Sequence, residues 1–229
     1  MRLTAGFAVL VLVSGCGAHI DHASRAAIDS QVAALSPSSV RHQAPNSPEL
    51  SPLVAGQWIK QHVVDKDGNH AFVTSKVLSS EGDRVWLEHE TESYTGSDAV
   101  KMLVSLGDRI DPSSIDIFEY WTKDSEGNVQ QLPPFAVAAM RPALRGALVS
   151  TAISQTPEGQ EDVTTPAGVF EQAYRARVEA IAMGRTFVSD VWWHPLVPFN
   201  GSVRTMGIDP QGKSELVGFG QSGATSVFP

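Results

Sequence analysis

The sequence predicts a mainly β domain of the α+β kind, and three observations predict it. From Gly56 onward the chain breaks into about nine strand-length runs rich in Val, Ile, Thr and aromatic residues. Turn clusters such as Asp65-Lys66-Asp67-Gly68-Asn69 and Glu81-Gly82-Asp83 separate those runs. One convincing helical pattern, from Phe135 to about Ser150, lies between two groups of strands. A sheet with an apolar face and a helix with an apolar stripe bury both by packing as two layers.

The chain opens on something else. Met1-Arg2 is a short positive stretch and Leu3 to Val13 an apolar run, too short to stay in a bilayer as a spanning helix. Val13-Ser14-Gly15-Cys16 then resembles the lipobox of bacterial lipoproteins. The resemblance implies that residues 1–15 are a signal peptide and that Cys16 carries a diacylglycerol thioether and an amide-linked acyl chain. At about 0.8 kcal/mol per buried methylene, two or three chains make attachment effectively permanent. Gly17 stands where an Asp would imply inner-membrane retention, so the implied address is the outer membrane, with the domain in the periplasm. Cys16 is the sole cysteine, so no intramolecular disulfide forms.

Losing residues 1–15 removes Arg2 and takes the net charge from −8 to −9. That balance argues against nucleic acid as a partner and supplies no polybasic patch for anionic lipid. With 42% hydrophobic and 18% charged residues, the chain can bury a core, and its length suits one domain. Residues 16–52 turn to Ala, Ser, Pro and His, with Ser36-Pro37, Ala44-Pro45, Ser47-Pro48 and Ser51-Pro52 interrupting regular structure. They read as a flexible tether, which as a random coil reaches some 30 Å. Within it Asp21 can cap a short helix with Ile28, Val32 and Leu35 on one face, marginal in water on its own.

The domain proper is expected over 53–220. Gln57 to Val64 and Ala71 to Leu78 form a hairpin, and Arg84 to Tyr94 continues it. In that strand Val85, Leu87 and His89 alternate against Trp86, Glu88, Glu90 and Glu92, so the three carboxylates are expected to meet water. Ala99 to Leu106 is read as the next strand. Ile115 to Trp121 and Val129 to Leu132 flank the turn Asp124-Ser125-Glu126-Gly127-Asn128, and Pro133-Pro134 ends the unit. The helix follows, with Val137, Met140, Leu144 and Leu148 at intervals of three and four and Pro142 expected to bend or break it. Ser154 to Thr165 looks loose. A long antiparallel strand then places Phe170, Gln172, Tyr174, Ala176, Val178 and Ala180 on one face and Glu171, Arg175, Arg177 and Glu179 on a wet one. Arg185 to Trp193 pairs with it, Ser202 to Ile208 and Lys213 to Phe219 complete the sheet, and 221–229 reads as a loose tail.

The second half is similar to uncharacterised bacterial envelope proteins with a LolA/LolB-like half-barrel. The residues that carry the likeness are Thr165-Pro166-Ala167-Gly168-Val169-Phe170, Trp192-Trp193-His194-Pro195-Leu196-Val197-Pro198 with Gly201-Ser202-Val203, and Ser214-Glu215-Leu216-Val217. The resemblance implies a curved antiparallel sheet that does not close, with one or two helices packed on its concave face. It also implies that the concavity holds a lipid, an acyl chain or another hydrophobic ligand. The residues expected to line it are Trp58, Met140, Leu144, Leu148, Phe170, Tyr174 and Trp193. The alternative is a structural lipoprotein that docks an envelope partner.

Other motifs carry little chemistry. Gly218-Phe219-Gly220-Gln221-Ser222-Gly223 has the letters of a dinucleotide-binding loop but no room for the helix that must follow. Asp65-Lys66-Asp67-Gly68 lacks the later ligands of a calcium loop and reads as a hairpin turn. Glu88-His89-Glu90 cannot share one ion, because a strand points His89 away from both neighbours. His19, His22 and His42 lie in the tether. Neither a cofactor nor a metal is expected, and no local signature points to an enzyme.

Overall fold

Two five-residue turns of the same design punctuate the first half. Asp65 accepts the backbone N–H groups of Asp67 (2.8 Å) and Asn69 (2.9 Å) and the Asn69 amide (2.9 Å). Asp124 repeats this with Glu126 (3.0 Å), Asn128 (2.9 Å) and the Asn128 amide (2.9 Å). In each, the fourth residue, Gly68 or Gly127, takes a positive φ. The acidic stretch with calcium-loop letters therefore uses its leading carboxylate to hold its own backbone.

A computed structural model describes residues 20–105, 114–148, 157–182 and 185–229, with side chains apart from those at 142–148, 180–182, 185–187 and 209. The strands are β1 (Arg41–His42), β2 (Trp58–Val64), β3 (His70–Glu81), β4 (Arg84–Ser93), β5 (Gly96–Ser105), β6 (Asp116–Lys123) and β7 (Val129–Gln131). They continue as β8 (Gly159–Thr165), β9 (Gly168–Ala182), β10 (Arg185–Trp193), β11 (Ser202–Asp209) and β12 (Gln211–Gly220). The helices are α1 (His22–Ala34) and α2 (Pro134–Leu148). Among the described residues the strands form one curved, unclosed half-barrel in the order β1-β9-β10-β11-β12-β2-β3-β4-β5-β6-β7, with β8 on the other edge of β9. Two meanders, β2 to β7 and β9 to β12, are joined where β12 pairs antiparallel with β2. Among the described strands only β1, beside β9, runs parallel to its neighbour. The helix α2 runs through Pro142 without a break.

Opposite faces of β2 to β5 carry different covers. Val77, Val85, Leu87, Met102, Val104, Ile117 and Tyr120 cluster with Val137 of α2 on the inner face. The outer face, with Lys60, Lys76, Glu88 and Glu92, meets α1 and the end of the chain. Here the expectation that Glu88, Glu90 and Glu92 face water fails. Glu88 is 0% exposed and accepts the Lys76 ammonium (2.8 Å), the Ser226 hydroxyl (2.6 Å) and the Val227 N–H (3.2 Å). Glu90 accepts Lys76 (3.1 Å), and Glu92 accepts Gln31 of α1 (2.8 Å).

The same contacts correct two segments that composition reads as free. The tail 221–229 is fastened: Ala224 N–H donates to Gly56 (2.9 Å), Lys123 donates to the Val227 carbonyl (2.8 Å), and Phe228 is buried. Over its described part the tether is also engaged. Asp21 caps α1 by accepting Ser24 N–H (2.7 Å), Ile28 is 2% exposed, and Tyr94 donates to Asp29 (3.0 Å). β1 then pairs with Val169 and Phe170, tightly enough that a Cβ on Gly168, whose φ is +142°, would lie 2.7 Å from the Val40 carbonyl. A short helix that is marginal alone persists because the sheet supplies the apolar surface it lacks.

The second half departs from its sequence pattern at two places. Residues 159–165, read as loose, form β8. Their run Gln160-Glu161-Asp162 hides a strand because pairing with β9, and not apolar alternation, holds it. The even alternation expected along β9 is broken by a bulge, where Glu171 and Gln172 together oppose Asp162. Gln172 takes φ +50° and its N–H reaches the Asp162 carboxylate (2.9 Å). In consequence Phe170 joins a cluster with Ala173, Ile59 and Leu216, whereas Tyr174 packs with Trp193, Val178 and Val191.

Candidate ligand site on the inner wall

The inner wall of β3 to β6 is assembled by register. Val77 stands opposite Leu87, Leu87 opposite Met102 and Met102 opposite Tyr120, which gives a row of apolar side chains across four strands. Above it lies α2, whose main neighbour is β6. Val137 is buried in the wall, Met140 half-buried against it, and Phe135 at the helix start is 77% exposed. Arg141 holds the helix to β6: its guanidinium donates to the Ile117 carbonyl (3.4 Å) and stands 3.7 Å from the Asp116 carboxylate.

Three polar groups break the apolar wall. His89 Nδ1 meets the Ser75 hydroxyl at 2.7 Å, a cross-strand pair from β4 and β3, and burial lowers its pKa to about 4. A Ser–His contact suggests nucleophile and base, yet the neighbouring Glu88 and Glu90 face the other side and are held by Lys76. A neutral, weakly basic imidazole with no carboxylate behind it is a satisfied wall pair. Tyr120 differs. It is 1% exposed, its hydroxyl has no hydrogen-bond partner among the described residues, and burial pushes its pKa up to about 12. Arg141 Nε is likewise buried and unpartnered.

The residues expected to line the concavity are spread over several clusters. Met140 lies on the wall just described. Leu144 and Leu148 fall within α2, but their side chains lie outside the described residues. Phe170 is fully buried, stacked on His42 with centroids 4.4 Å apart and edge-on to His194. Tyr174 and Trp193 are brought together, stacked at 4.7 Å, with the Trp193 N–H unpartnered. Trp58 stands opposite Lys76 on the outer face, its indole lying against Gly218 and Gly220. Cys16 lies outside the described residues.

Sequence reading passed over Ser75, Tyr120 and the Arg141 contact. The parity of Val85, Leu87 and His89 does turn His89 inward, but its partner depends on a register the sequence does not display.

Elsewhere, His194 is fully buried and accepts the Leu196 N–H at Nδ1 (3.3 Å), so its Nε2 proton points to the Gln43 carbonyl (2.9 Å). On the outer face His62 and His70 share one hydrogen bond (2.8 Å), and burial followed by the His70 charge lowers the His62 pKa. A small polar groove is lined by Glu158, Gly159, Gln160, Glu161 and Arg175. Among the described residues no cluster of three metal-ligating side chains occurs, and no helix is long and apolar enough to cross a membrane.

No family model and no curated protein matches the chain. Among solved structures the chain is similar to a Bacteroides fragilis protein described as exported and of YmcC-like fold. The two share 13% identity with a TM-score of 0.38, over 75% of this chain and 99% of that one.

Proposed function

We propose that the chain is exported, anchored by lipid at Cys16 to the outer membrane, and that its half-barrel holds a hydrophobic ligand between the inner wall and α2. The ligand is a lipid or another molecule with an acyl chain. The observation that carries this reading is the way α2 sits. A broad wall of apolar side chains on β3 to β6 is covered by a helix that leans chiefly on β6 and leaves Phe135 in solvent. Such a cover can lift from most of the wall while keeping its hinge contacts, which is what entry of an acyl chain needs. Met140 supplies the helix side, Phe170, Tyr174 and Trp193 lie further round the sheet, and Trp58 lies on its outer face.

A second reading has its own support. Phe118, Val129 and Phe135 are exposed on β6, β7 and the start of α2, beside the short edge strand β7. Exposed apolar side chains along an open sheet edge suit an envelope partner that adds a strand there.

Native mass spectrometry of the protein extracted gently from membranes separates the two. Lipid held in addition to the covalent anchor is expected, and a clean apo mass would leave only the partner reading. Cys16→Ser should move the folded domain to the soluble fraction, whereas persistent membrane attachment would overturn the anchor.

A further inference from the structure

Two buried donor atoms, one on β6 and one on α2, have no acceptor among the described residues. The Tyr120 hydroxyl belongs to the apolar wall, and Arg141 Nε, the buried atom of a side chain otherwise 37% exposed, lies on the helix that covers it. Arg141 already spends other N–H groups on the Ile117 carbonyl and the Asp116 carboxylate, so the vacancy is specific to Nε. Leaving a buried donor unpaired costs free energy, and an apolar wall gives no reason for a hydroxyl where Phe would pack as well. Ile117 and Tyr120 lie three residues apart on β6, so the Arg141 contact and the orphan hydroxyl belong to the same stretch of strand.

Resting on the ligand reading above, we propose that the bound molecule carries an oxyanion head, and that the Tyr120 hydroxyl and Arg141 Nε donate to it while its chain lies along the inner wall. The chemistry of the donors selects the head. Tyrosine kept neutral by burial donates through its O–H, and a guanidinium is a permanent cation with a planar donor edge matched to carboxylate or phosphate oxygens. Met102 and Met140, adaptable apolar side chains in the same cluster as Tyr120, suit the first methylenes of a chain of variable shape. A neutral head would satisfy Tyr120 but leave the guanidinium, among the described residues, with Asp116 at 3.7 Å as its ion-pair partner.

Binding of three probes to the full chain carrying Cys16→Ser tests this: palmitate, palmitoyl lysophosphatidylglycerol and hexadecanol, which share a chain and differ in head. Palmitate or the lysolipid should bind at least about tenfold more tightly than hexadecanol, and whichever anion binds identifies the head as carboxylate or phosphate. Tyr120→Phe should weaken the anionic probe by about fivefold to tenfold and leave hexadecanol unchanged, and Arg141→Met, which also releases a contact between α2 and β6, should weaken the anionic probe by more than it weakens hexadecanol. Tyr120→Phe should melt no lower than the parent without ligand, since it removes an unpaired group, so weaker binding there is not a folding defect. Equal binding of all three probes, unmoved by either substitution, would overturn the oxyanion head and leave the hydrophobic-ligand reading standing. Failure of every probe to bind would overturn both.

Discussion

Wholly buried, the Glu88 carboxylate is compensated by Lys76, the Ser226 hydroxyl and the Val227 N–H. Replacing it by Ala removes the acceptor that fastens the chain end and leaves Lys76 with Glu90 alone. A loss of roughly 3 kcal/mol is expected by urea denaturation, near the lower end for breaking a buried ion pair. Carboxypeptidase should also begin to trim the last residues of the folded variant. If stability falls by less than about 1 kcal/mol, the tail is an ornament and not a partner. Glu88→Gln, which keeps an acceptor for Val227, should lose less. Strand alternation places Glu88 opposite to Leu87 and His89 correctly, but it cannot report burial when the covering residue is 138 positions away.

At the scale of elements, α1 is held from the side by Ile28, by Gln31 to Glu92 and by Asp29 to Tyr94. Ile28→Ser should remove on the order of 2 kcal/mol or more of that docking, since it deletes the only fully buried side chain of the helix. Limited proteolysis is expected to cut near residues 35–40 of the variant while circular dichroism of the sheet is unchanged. Collapse of the sheet together with α1 would show that the helix is part of the core. The sequence displayed this helix through Asp21 and Ile28 but not its docking, because the surface it covers is made by β3 and β4. The strand-turn-strand units of the first half were legible for a local reason, their Asp-x-x-Gly-Asn turns. β8 and the bulge at Gln172 were not, since a polar strand is stabilised by its neighbour and a bulge shifts alternation by one residue. Of the site, the helical spacing of Met140 with Val137 was readable, and the orphan donors at Tyr120 and Arg141, which exist only once α2 meets β6, were not.

Three histidines with lowered pKa values make the pH response a property of the whole molecule. His62 lies on the outer face, His89 on the inner wall and His194 beside the Phe170 cluster, and burial is the leading cause at each. A histidine whose folded pKa falls below its unfolded value of 6.5 is protonated more readily in the unfolded chain. Its stabilising contribution is therefore complete above that pH and is lost as the pH falls toward the folded value, about 4 for His89. Denaturant midpoints should be flat from pH 8 to about pH 7 and fall steadily between about 6.5 and 4. His89→Gln should flatten part of that fall, and an unchanged slope would mean that His89 is already solvated. The pinning of α1 has a consequence at this same scale. Asp21 N–H donates to the Tyr94 carbonyl (2.9 Å), so under the lipid anchor proposed at Cys16 the five residues 16–20 bound the leash at about 18 Å, their fully extended length. With the lipid proposed at Cys16, a domain on such a leash would stay beside the bilayer as a fixed station, and whatever it receives would have to arrive there.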